Sequence, residues 1–219
     1  MENLPIILQL HTPDELIYLS NLAHWIEGAF FAVVVIIAFV QTTGIYRANW
    51  LKFAWPSLIL LAGLFLPIFS YSHHWNEMGL AWKATIMDAQ QRQHFYIAII
   101  AIIAGAMELY SLKAYKLWPK MAFPAAFLII GLLFITHEQH GTSEAVMRAA
   151  AIHQYIGISL ILASVFRAAE IWTKGRLKLA AYLWMLFLLI ASGLLISYRE
   201  PEGAYQIEMK PQNNLQIMH

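Results

Sequence analysis

Residues 121–141 read MAFPAAFLIIGLLFITHEQHG: sixteen residues with no charge at all, followed at once by two imidazoles, a carboxylate, an amide and a glycine. A hydrocarbon core about 30 Å thick needs about 20 residues of helix to cross it, so this run is long enough to span once its flanks are added. The polar group at 137–141 then falls at a membrane surface, where imidazoles and a carboxylate are costly to gather without a use.

The rest of the chain has the same character. Of its 219 residues 60% are hydrophobic and only 12% charged, which is far from the balance of a soluble domain. Six segments qualify as spans, at about 22–42, 53–72, 92–112, 120–138, 149–172 and 178–198. An isolated strand cannot satisfy its backbone in lipid, and the alternating pattern of barrel strands is absent from the sequence. The expectation is therefore an all-α integral membrane protein: one six-helix domain over 1–219, its helices joined by short turns at 43–52, 113–119 and 173–177 into three repeated antiparallel hairpins. No leader is expected, because Glu2, Asp14 and Glu15 stand where a basic region should precede an apolar core.

Charge sets the expected orientation. The short turns hold Arg47, Lys52, Lys113, Lys116, Lys120, Lys174, Arg176 and Lys178, so they are expected in the cytoplasm and both termini outside, in the periplasm of a bacterial inner membrane. The absence of cysteine agrees with an exported face. Nothing in the sequence suggests nucleic acid as a partner.

On this topology the histidines collect at the outer side. Each hairpin's first helix carries one just inside its outer end, in LAHWIEG from 22, RQHFYIA from 92 and AIHQYIG from 151. Each second helix returns to a polar cluster, SHHWNEMG from 72, HEQHG from 137 and YREPEGAY from 198. Neutral imidazole is the commonest metal ligand, and with carboxylate it suits copper, iron, zinc or manganese. The candidate ligands are His24, Glu27, His73, His74, Glu77, His94, His137, His140 and His153. His24 with Glu27, His74 with Glu77, and His137 with His140 are each three apart, a spacing that shares one face of a helix. Met78, Met87 and Met147 would add thioethers favouring copper. Other features have plainer readings. Trp25, Trp55, Trp75, Trp118 and Trp172 look like an aromatic belt, His11 like a surface residue, and Glu108 and Arg167 like an ion pair between repeats.

The order Gln93, His94 and Glu108, then HEQHG, HQYIG and YREPEG, resembles bacterial inner-membrane proteins related to the copper-resistance D type. The resemblance covers about residues 90–203. It implies copper handling at the periplasmic face, with His94, His137, His140 and His153 at the matching positions.

The expected function is thus that of a membrane metalloprotein which captures, delivers or transports copper. Its partners would be the bilayer and either a periplasmic metal carrier or a second copy. The alternative is a membrane oxidoreductase with a dinuclear iron or copper centre, or a b-type haem, acting on a lipid or quinone. A zinc hydrolase and a metal-free scaffold are further readings of the same histidines.

Overall fold

In the computed structural model, residues 11–71, 78–113 and 117–206 are described. They form helices α1 (Pro13–Thr43), α2 (Leu51–Tyr71), α3 (Met78–Met87), α4 (Ala89–Ser111), α5 (Leu117–Ile135), α6 (Ser143–Trp172) and α7 (Lys178–Ser197). All but α3 are long and apolar enough to cross a membrane, and no strand occurs among the described residues, only an isolated bridge between Gly141 and Ala204. The chain is an all-helical membrane protein.

Two spans begin earlier than their apolar runs. Thr12 caps α1 in a reciprocal box with Glu15, and Pro13 occupies the first turn, where a missing N–H costs nothing. Thr142 caps α6 by accepting from the backbone N–H of Ala145 at 3.3 Å. Helix α3 lies in a connection expected to be a loop. At ten residues it is too short to span.

The packing closes a ring. Helix α1 touches α2, α2 touches α4, and the circuit continues through α5, α6 and α7 back to α1. Each span thus contacts both ring neighbours, and the contacts do not divide the ring into three separate pairs. Phe31, Ile59, Phe127, Ile156, Leu160 and Leu188, drawn from five spans, meet in the centre. Ile36, Ile68, Ile103, Ile129 and Leu179 face outward and are exposed. Such residues would be a liability in water but match hydrocarbon.

The ring places two polar groups at opposite ends. Arg167 on α6 lies fourteen residues beyond His153, about 21 Å along a helix at 1.5 Å per residue. There Arg167 donates to Glu108 and to Glu170, both at 2.6 Å, and its guanidinium stands 5.3 Å from the rings of both Trp55 and Trp184. The pairing of Glu108 with Arg167 is the one the sequence suggested.

Candidate metal centre

At the other end four imidazoles meet, each from a different part of the chain. His24 comes from α1, His94 from α4, His153 from α6, and His137 from the connection after α5. Their ring centres form a closed circuit: 6.3 Å from His24 to His94, 4.7 Å to His137, 4.7 Å to His153 and 5.6 Å back to His24. With metal–nitrogen bonds of about 2 Å, imidazoles around one tetrahedral ion have ring centres about 5 Å apart, so the spacing is of the right size.

Three of the rings are aimed in the same way. Nδ1 of His24 lies 2.7 Å from the Ser20 carbonyl oxygen, that of His94 lies 2.8 Å from Gln90 O, and that of His153 lies 2.8 Å from Ala149 O. A carbonyl only accepts, so each Nδ1 carries the proton and each neutral ring presents a bare Nε2. This is the outer-shell hydrogen bond that fixes the tautomer of metal-ligating histidines. Nε2 of His153 and both ring nitrogens of His137 are buried without a hydrogen-bond partner. Burial, and after it the neighbouring imidazoles, hold His137 well below the usual histidine range, so it is neutral and able to ligate. These orphaned nitrogens are what an ion would satisfy. As the side chains stand, however, no three His, Cys, Asp or Glu among the described residues are gathered closely enough to hold a metal. Binding would require the rings to turn toward a common point.

The pentad HEQHG divides its residues among several tasks. Helix α5 ends at Ile135, earlier than the 138 expected, so His137 and His140 do not share a helical face. His137 turns into the cluster. His140 turns away, with Nε2 2.6 Å from Oδ2 of Asp88. Gly141 has φ +140°, and a Cβ there would stand 2.7 Å from the Gly203 carbonyl oxygen. Only glycine admits this approach.

What approaches is the segment after α7, laid across the same end of the ring. Thr142 N–H donates to Gly203 O and Tyr205 N–H to His140 O, both at 3.1 Å. Tyr198 stacks on His24 with ring centres 4.1 Å apart, and its hydroxyl is buried without a partner. Glu200 accepts from Ser20 Oγ at 2.6 Å and Tyr205 Oη at 3.4 Å through Oε1, while its Oε2 is unpartnered. Gln90 Nε2 donates to Tyr205 Oη at 3.0 Å.

The remaining candidates among the described residues fall outside the circuit. Glu27 lies one turn further along α1, lining with His24 a cavity of about 50 Å³ walled mainly by apolar residues such as Phe31, Ile59 and Phe127, and its Oε1 has no partner. Met78, Met87 and Met147 are exposed. His73, His74 and Glu77 lie outside the described residues. Asp88, Gln90 and Tyr205 were not singled out in the sequence. The first had a signal, since Asp88 precedes a span and caps it through Gln91 N–H.

Comparison of the chain with family models, with curated proteins and with solved structures finds no match.

Proposed function

We propose that the chain binds copper at His24, His94, His137 and His153 and handles it at the periplasmic face of a bacterial inner membrane. On this reading the six spans derive from three related hairpins, and both termini lie outside. The observation that carries it is the set of orphaned nitrogens on His137 and His153, within a circuit of rings whose other members are held in the ligating tautomer. Buried polar groups normally find partners, and a group of imidazoles without them is a site held ready for a ligand. Imidazole sites suit copper, zinc, iron and nickel, and among first-row divalent ions affinity peaks at copper. The resemblance of residues 90–203 to copper-resistance D-type proteins points the same way.

Capture or delivery is favoured over translocation. At the far end Glu108 is engaged by Arg167, so its carboxylate is already paired and is not free to ligate a passing cation.

A metal-dependent membrane oxidoreductase is the second reading. It is favoured by the unpartnered oxygens of Glu27, Tyr198 and Glu200 around the same rings, which could serve a second ion or an oxygen-donor ligand. The test is copper titration against a competing chelator in detergent. Binding that weakens by about 100-fold or more in His137→Leu and in His153→Leu supports the site. Equal binding in these variants and the unaltered protein sinks it.

A further inference from the structure

The four imidazoles are not equally reachable. A cavity of about 100 Å³ lies against the cluster between α1, α2 and α4, and its walls include Ser20, His24, Gln90, Gln91, His94 and Tyr205. His137 and His153 do not line it. On this measure a water needs about 10–15 Å³, so the space holds several.

The one-sidedness follows from the residues four before each helical histidine. Each supplies the carbonyl that holds an Nδ1–H, but the side chains differ: Ser20 before His24, Gln90 before His94 and Ala149 before His153. Where the residue is Ser20 or Gln90, it lines the chamber, and its hydroxyl or amide bonds to Glu200 or Tyr205. Where it is Ala149, the residue does not line the chamber and offers no polar side-chain atom. The three turns use one backbone device, and only two of them open onto a chamber.

We propose that this chamber is a binding site for a small hydrated cation and the route by which the histidines are loaded. The proposal rests on the metal reading above. Hydroxyl and amide oxygens at Ser20, Gln90, Gln91 and Tyr205 are hard donors suited to an ion that still carries water, whereas the imidazoles beyond are suited to one that has shed it. The cation meets His24 and His94 first and reaches His137 and His153 last. His11, at the chamber's rim and 3.9 Å from Glu15, lies on the way in.

The chain has no cysteine, so single cysteines can report on the chamber. Ser20→Cys, Gln91→Cys and Ala145→Cys would be treated in detergent with a small, charged methanethiosulfonate. Ala145 lies on α6, across the ring from α2, and is 2% exposed. Copper content and loading rate are measured before and after treatment. The expected result is that Ser20→Cys and Gln91→Cys react, that copper slows the reaction, that the treated proteins load about tenfold more slowly or worse, and that Ala145→Cys stays unmodified. The proposal is overturned if neither chamber cysteine reacts, if Ala145→Cys reacts as fast, or if modification leaves loading unchanged in a protein that still binds copper. Absence of copper binding by the cysteine-free parent overturns the metal reading, and this one with it.

Discussion

The two ends of the bundle solve the problem of polarity in a membrane in opposite ways. At one end Arg167 sits between Glu108 and Glu170 and between two indoles, so its charge is matched and its faces are covered. At the other, four imidazoles are brought into contact while nitrogens of His137 and His153 are left with nothing to bond. The first arrangement pairs its charges with one another, although Glu108 Oε2, Arg167 Nε and Trp184 Nε1 are also buried without a partner, and so serves architecture. In the second, His137 has neither ring nitrogen bonded, which is the arrangement the proposed ion would relieve, because an unsatisfied buried polar group costs stability.

That contrast can be broken most forcefully at the paired end. Arg167→Ala strands the buried Glu108 and should destabilise the protein by about 3–5 kcal/mol, read from thermal unfolding in detergent, while Arg167→Met with Glu108→Leu should recover most of the loss. An Arg167→Ala protein as stable as its parent would mean that the pair is not what holds this end. Next in size is the crossing of α5 and α6, where a Cβ at Gly131 would lie 2.8 Å from the Gly157 carbonyl oxygen. Gly131→Ala should cost about 1–3 kcal/mol by forcing the two backbones apart.

At the histidine end the sign should reverse. His137→Leu removes two unsatisfied nitrogens, so without metal the variant should be as stable as the parent or up to about 1 kcal/mol more so. Added copper should raise the melting temperature of the parent and leave that of His137→Leu unchanged. A variant that melts far below its metal-free parent would make His137 a structural residue and erase the contrast.

The smallest effect belongs to His140 and Asp88, which lie at the histidine end but are paired. The hydrogen bond to Asp88 raises His140 above its ordinary 6.5 against the effect of burial. Burial pushes Asp88 upward, but His140 and the Gln91 N–H outweigh it and hold the carboxyl below its ordinary 3.8. The histidine's contribution is complete below 6.5 and is lost as pH rises through its raised value. The aspartate's is complete above 3.8 and is lost as pH falls through its lowered one. The destabilisation caused by Asp88→Asn should therefore be greatest between about pH 4 and 6.5 and should shrink by about pH 9. A pH-independent difference would show that the pair is not ionic.

The spans were legible because apolar runs of that length have few other uses, and Glu108 with Arg167 because two opposite charges in oil must find each other. Helix ends were less so. The turns from Pro13 and Ser143 are polar and extend beyond the hydrocarbon, and their caps at Thr12 and Thr142 were the only signals. His24, His94 and His153 could be grouped because their place in each first helix is the same, a local property. The separation of His137 from His140 could not, because it depends on α5 stopping at Ile135 and on Asp88, fifty-two residues from His140, taking one of the pair. The cluster YREPEGAY was placed at this end, but its contacts with Gln90 and His140 could not be read for the same reason: they are set by the closure of the ring.

The central claim is that the unpartnered imidazoles hold an ion, and metal analysis by mass spectrometry tests it most directly. The measurement uses protein purified in mild detergent, without a histidine tag or chelator, beside a His94→Ala, His153→Ala double variant. The account predicts about one copper per chain in the parent and none in the variant. A folded parent without stoichiometric metal, or a double variant that keeps its copper, would contradict it.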